Sequence, residues 1–385
     1  MKVSCFVFVL MLTVFVPSHV LSCTTFTLRR GDQVIFGNNY DWLIGDGLVF
    51  VNKRNVQKIS TEDSGKAAKW VSRYGSVTFN QFGREHPNGG MNEKGLVIGL
   101  MWLDDTVYPK PDERPVLDEL EWIQYQLDTA STTDDVITSS AGLRVTSEVK
   151  LHYLVNDARG TTATLEYLRG SLVVHRGKTL PVPVLTNDIY DDSVRYLRSS
   201  PPSKTTTDGS FDRFARVARR LGDRTALSRL RTSQQTVDHA FATLHDAVSA
   251  AYTSKDMYTQ WSIVYDQTSG VIYFHSRQKS AVKVLDTHAF DYSCSTAVRM
   301  LDVDTSSTGD VAGLFSEYSR KANRDLIERA FTGTPFLKDV PKLFRDMAAS
   351  YPEEFACTEK RAANVDSRFL PFSPKLFGPR HLNGQ

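Results

Sequence analysis

The sequence predicts an α+β protein in which two antiparallel sheets pack face to face and helices cover their outer sides. Two observations predict it. Pairs of short apolar or alternating runs flank tight turns at three places, 24–36, 151–167 and 261–275. Between the second and third pairs lie two stretches whose apolar residues recur at helical spacing. Hairpins, then paired helices, then hairpins leave sheets and helices segregated rather than alternating.

The first hairpin runs Thr24 to Leu28, turns at Arg30-Gly31-Asp32 and returns through Val34-Ile35-Phe36, with Gly37 expected to end it. Leu48 to Val51 and Val77 to Phe82 are further strands, separated by a polar stretch, 55–70, that reads as a surface excursion. Gly89 to Leu96 is a turn signal before Val97 to Trp102, a run apolar on both faces and so a central strand. Pro115 is expected to open a helix carrying Leu117, Leu120, Ile123 and Leu127 on one face. The second hairpin pairs Leu151–Val155 with Ala163–Tyr167, and Ser171 to His175 continues it. Pro181 to Asn187 is extended, and the Ser/Pro/Thr-rich stretch 199–210 reads as a flexible loop. Two helices follow, one with Phe214, Val217 and Leu221, the next opened by a Thr232–Gln235 capping box. Trp261–Tyr265 and Val271–His275 form the third hairpin. Beyond 305 the chain reads as helical through Leu314, Tyr318, Leu326, Ile327 and Phe331, and 362–385 as irregular.

The chain has 385 residues, 41% hydrophobic and 23% charged, an ordinary globular balance. Its net charge of +2 makes no case for nucleic acid or an acidic surface as partner. Arg219-Arg220 and the pair Arg229 and Arg231 read as solvated helix faces. Three units are expected: a signal peptide over 1–22, a main domain over 23–304, and a C-terminal helical extension over 305–385 packed on the same domain.

Lys2 and the apolar run Cys5–Val16 have the form of a secretory leader, and Val20 and Ser22 occupy the −3 and −1 positions of a cleavage site. No later stretch is long and apolar enough for a stable membrane span. A secreted or periplasmic protein beginning at Cys23 is the expectation. The rival reading is a lipoprotein box at Val20-Leu21-Ser22-Cys23, which would acylate the cysteine and leave a lipid-anchored binding protein. Of the remaining cysteines, Cys294 and Cys357 could form a disulfide in an oxidising compartment, with buried free thiols preferred.

Cleavage after Ser22 would place a thiol and a free α-amine on one residue, Cys23. The amine has an ordinary pKa near 7.7–8.0 and the thiol near 8.5, so the amine can take the thiol proton directly or through one water. The thiolate is then the nucleophile. Attack on an amide carbonyl needs a carboxylate to orient the amine, for which Asp41 is the candidate, and donors for the developing oxyanion. No histidine spacing points to a metal site or to a Cys–His protease.

Five stretches carry a resemblance: Cys23-Thr24-Thr25-Phe26, Phe36-Gly37-x-Asn39-Tyr40-Asp41-Trp42, Gly90-Met91-Asn92-Glu93-Lys94-Gly95-Leu96, Leu185-Thr186-Asn187 and Arg213-Phe214-x-Arg216. In this order they resemble the choloylglycine hydrolase family, the linear-amide C–N hydrolases that include bile salt hydrolases and penicillin V acylases. The resemblance implies the amino-terminal-nucleophile hydrolase fold, a four-layer αββα sandwich. It implies Cys23 as nucleophile, Asp41 as holder of the amine, Asn187 at the oxyanion site and Arg213 beside it. Relatives carry an arginine where this chain has Asn38, and an asparagine where it has Trp102. Asn38 and Asn39 are therefore candidates beside the thiol, and Trp102 is a candidate wall of the acyl pocket. Asn92 and Glu93 read as structural. The implied reaction is hydrolysis of a small linear amide with no cofactor. The same acyl-enzyme passed to an amine would make an acyltransferase. Relatives are often tetramers, so a homo-oligomer is compatible with the resemblance.

Overall fold

The computed structural model describes residues 23–62, 65–205, 207, 209–248 and 258–359. The leader over 1–22 and the irregular tail expected over 362–385 lie outside the described residues. Two large sheets dominate. The first has seven strands in the order Val184–Leu185, Thr24–Arg30, Gln33–Trp42, Tyr258–Asp266, Val271–Ser276, Lys283–Asp286 and Gly309–Asp310. The second has nine among the described residues, with Val97–Trp102 in its interior between Leu151–Asn156 and Gly89–Asn92. The three expected hairpins are all present.

Eight α-helices occur among the described residues: α1 (Glu119–Thr129), α2 (Thr133–Ala141), α3 (Tyr190–Ser199), α4 (Ser210–Gly222), α5 (Arg224–Arg229), α6 (Ser233–Ala247), α7 (Arg320–Thr332) and α8 (Lys342–Ser350). Helices α4 and α6 cover the first sheet, and α1 and α2 pack on the second. This gives the expected αββα layering. The Thr232–Gln235 capping box is present at the start of α6.

The sheets approach closely where small residues allow it. A Cβ at Gly99 would lie 2.8 Å from Thr25 Cγ2 and 3.1 Å from the Phe36 ring. Gly37 does not end its strand. The strand runs on to Trp42, and a Cβ at Gly37 would lie 2.5 Å from Phe26 Cζ. Glycine is there to admit a ring, not to turn the chain.

Six other expectations are corrected. Pro115 does not open a helix: Val116–Leu117 is a short strand, and α1 starts at Glu119 because the Asp118 carboxylate accepts from the Leu120 and Glu121 amides at 2.8 and 2.6 Å. Gly89–Asn92 is itself a strand, and the turn is confined to the residues after it. The stretch 55–70 is no surface excursion. Val56–Ile59 pairs with Lys69–Val71 and with Ala356–Cys357, and buried Lys58 bonds Glu85 at 2.5 Å and Asp128 at 2.9 Å. Beyond 305, Leu314 and Tyr318 precede the first helix, in a region of short strands and a 3-10 turn. The stretch 199–210 contains a 3-10 turn over Pro202–Lys204. Cys294 and Cys357 are joined in a disulfide rather than held as free thiols.

Candidate active site

The first strand begins beside Cys23, and its ladder pairs Thr24 with Asn39 on one side and Thr25 with Leu185 on the other. Cys23 is thus fixed at the end of a strand held on both flanks. Its side chain is buried, 3% exposed, and the Asp41 amide donates to Sγ at 3.4 Å. Burial pushes the thiol up to about 12, with the Asp41 charge adding to the rise. The Asp41 amide and the Arg213 guanidinium act the other way.

Arg213 enters from α4 and is itself buried. Its Nη1 donates to the Cys23 carbonyl oxygen at 2.7 Å and to Thr24 Oγ1 at 2.8 Å, and its Nη2 donates to Asn187 Oδ1 at 2.7 Å. Asn187 Nδ2 in turn donates to the Trp102 carbonyl oxygen at 3.0 Å. An amide nitrogen carries two hydrogens, so Asn187 keeps one donor beyond that bond. Ser210, at the start of α4, fixes the approach, its Oγ accepting from the Asn187 amide at 2.8 Å. Cys23, Asp41, Arg213, Asn187 and Trp102 are therefore brought together as the sequence implied.

Asn38 and Asn39 are not part of this group. Strand alternation sends Asn39 to the helix side, where Nδ2 donates to Leu244 O at 2.9 Å and Oδ1 accepts from Ser262 at 2.7 Å. Asn38 faces the second sheet, its amide nitrogen close to Gly89. Both asparagines are buried. Asn92 and Glu93 are structural as expected: Asn92 donates to the carbonyls of Leu127 and Ala130, and Glu93 bonds Arg54 and the Gly75 amide.

A cavity of about 230 Å³ opens beside Cys23. Tyr40, Trp42, Leu100 and Trp102 form much of its apolar wall. His86, Asp118 and Glu119 add a polar portion. His86 Nε2 lies 3.3 Å from Asp118. Burial opposes the imidazole charge, but Asp118, Glu121 and Glu119 outweigh it and raise the histidine to about 9. Burial and the neighbouring Asp118 raise Glu119 to about 8. His86, Asp118 and Glu121 could offer ligand atoms within 4.8 Å of one another. These groups already bond each other and main-chain amides, Glu121 taking those of Asp118 and Thr61.

Sequence reasoning missed Tyr40 and Trp42 as wall residues, although both stand two apart on one strand face. It also missed His86, Asp118 and Glu119, which reach the cavity from a loop and a helix start and carry no local signal.

Comparison with known proteins finds relatives of this chain. The family model for linear amide C-N hydrolases, choloylglycine hydrolase family, matches residues 23–299. A penicillin V acylase from Pectobacterium atrosepticum is 28% identical over 298 residues, 66% of this chain and 78% of that protein. The structure of penicillin V acylase from Agrobacterium tumefaciens superposes with a TM-score of 0.68 at 25% identity, covering 77% of this chain and 98% of that one. A conjugated bile acid hydrolase from Clostridium perfringens shares the fold, with a TM-score of 0.61 at 16% identity, over 75% of this chain and 99% of that one. The chain belongs to the choloylglycine hydrolase family of linear amide C-N hydrolases and is an amidohydrolase acting on linear amides.

Proposed function

We propose that Cys23, freed as the first residue of the mature chain, hydrolyses linear non-peptide amides through an acyl-thioester. The observation that carries this reading is the convergence on Cys23 of Asp41, Arg213 and the Arg213-bonded Asn187 beside one cavity. That the family match begins at residue 23 supports cleavage there. A leader suited to export supports a secreted or periplasmic enzyme.

The free α-amine takes the thiol proton, and the thiolate forms a C–S bond to the amide carbon. The carbonyl electrons move to oxygen, where the remaining Asn187 N–H donates. The ammonium then gives its proton to the amide nitrogen as the C–N bond breaks and the amine departs. The neutral α-amine next takes a proton from water, whose oxygen attacks the thioester. Collapse releases the acid and returns the proton to sulfur. Arg213 supports the sequence twice, by holding the Cys23 carbonyl and by fixing Asn187. The uncleaved chain has an amide nitrogen at Cys23 and hence no base on that residue, so it is inactive.

The test is a panel of amides against mature protein, with Cys23→Ser as control and the amino-terminal residue identified by mass. A free Cys23, turnover by the wild type, and a folded, inactive variant are expected. Full turnover by Cys23→Ser, or an acylated amine on the active species, would overturn the mechanism. Added amine acceptors measure any diversion of the acyl group into transfer.

A further inference from the structure

Resting on the hydrolase reading of the Cys23 site, we propose that the C-terminal segment sets acyl specificity, with Phe336 as the wall that limits acyl size. Phe331, Phe336, Leu337 and Ala348 line the same cavity as Cys23, yet the family match ends at residue 299. These side chains therefore stand outside the matched unit but inside its binding site.

Phe336 packs edge-on against two rings from different sheets. Its centroid lies 6.1 Å from Trp42 of the first sheet and 6.3 Å from Trp102 of the second. Phe331 closes similarly on Phe82, at 6.3 Å. One residue of the extension thus spans the aromatic walls that the two sheets supply.

The segment is fixed rather than loosely laid on. Thr334 is fully buried and accepts from Trp42 Nε1 at 3.4 Å. Arg329 pairs with Asp46 at 2.5 Å, and Asn323 Oδ1 accepts from the Arg84 amide at 2.8 Å. Farther along, Tyr351 donates to Ile59 O, and the chain ends its described course in a strand bonded to Val56–Gln57 and the disulfide to Cys294. A wall anchored before and after Phe336 cannot simply yield to a bulkier ligand.

The cavity is also small. Sites for drug-sized ligands run to roughly 300–1,000 Å³, above the 230 Å³ found here. Rings on several sides and a fixed stop favour compact apolar acyl groups over long straight chains.

The test compares kcat/KM for amides of one common amine, with acyl groups from acetyl and phenylacetyl to dodecanoyl. Wild type, Phe336→Ala and Phe336→Leu are measured, with circular dichroism reporting folding. In Phe336→Ala the ratio of dodecanoyl to phenylacetyl turnover should rise about tenfold or more, the scale on which apolar pockets discriminate. Phe336→Leu should give a smaller rise and covers the case in which the alanine variant fails to fold. An unchanged ratio in a folded variant, beside an active wild type, overturns the proposal and leaves the hydrolase reading standing. A wild type that hydrolyses no member of the series overturns both.

Discussion

Arg213 donates to the carbonyl oxygen of Cys23 at 2.7 Å, so a charge carried by α4 is bonded to the main chain of the proposed nucleophile itself. The same guanidinium holds Asn187 with its other nitrogen. This forked geometry is what a lysine cannot reproduce.

Arg213→Lys should therefore lower kcat far more than it changes KM, and Asn187→Ala should lower kcat by roughly 10²–10³-fold, the usual cost of one oxyanion donor. Steady-state kinetics on folded variants checks both. An Arg213→Lys enzyme with wild-type kcat would remove the forked arginine from the mechanism.

The thiol state gives a second prediction. In the uncleaved chain, burial and Asp41 raise Cys23 to about 12, so the thiol stays protonated at neutral pH. Iodoacetamide labelling of that chain should be slow at neutral pH and climb as pH approaches the raised value. The processed chain should label faster at neutral pH, because the amine then accepts the proton. Equal rates for the two forms would argue against the amine as base.

Glu119 predicts a pH dependence of stability. Burial, then Asp118, raises its carboxyl from 4.5 to about 8 in the folded chain. The folded state holds a proton that the unfolded state releases, so the contribution is complete below 4.5 and is lost as pH rises through that window. His86, raised from 6.5 to about 9, acts in the same direction at higher pH, since its charged form is favoured on folding. Urea melts across this range should show stability falling with rising pH, and Glu119→Gln should flatten the fall. A variant with an unaltered slope would contradict the assignment.

The Cys294–Cys357 disulfide joins residues 63 apart in sequence. A loop of this size corresponds to about 4 kcal/mol in the chain-entropy model. The double variant Cys294→Ser with Cys357→Ser should lose stability on that order in denaturant melts. It should also loosen the segment that carries Phe336, which a raised KM for compact acyl amides would report.

How much of this could be read from the chain alone depended on where the signal lies. The hairpins were legible because alternation and turn residues are local. The convergence of Cys23, Asp41, Asn187 and Arg213 could be expected because each sits in a short stretch that matches a known pattern in order. Gly37 was misread because a glycine that ends a strand and one that admits the Phe26 ring look identical in sequence. Pro115 was misread because the Asp118 cap three residues later outweighed it. Asn38 became a candidate because relatives carry an arginine there, and it shares a strand face with Tyr40 but lies by Gly89, whereas alternation turns Asn39 to the helices. His86 and Phe336 could not be anticipated, since only the closed tertiary structure brings a loop and a distant extension onto one cavity.

The strand that follows Cys23 has its first ladder pair at Thr24, one residue past the bond that the proposed processing would cut. Every rung that positions Cys23, from Thr24–Asn39 to Arg30–Gln33, therefore lies on the retained side. On the proposed route maturation would be a subtraction: the ladder would need no new register and the helix bearing Arg213 no new seat. The proposed switch from latent to active chain would then be a change of one nitrogen from amide to amine, made inside a frame that is already built.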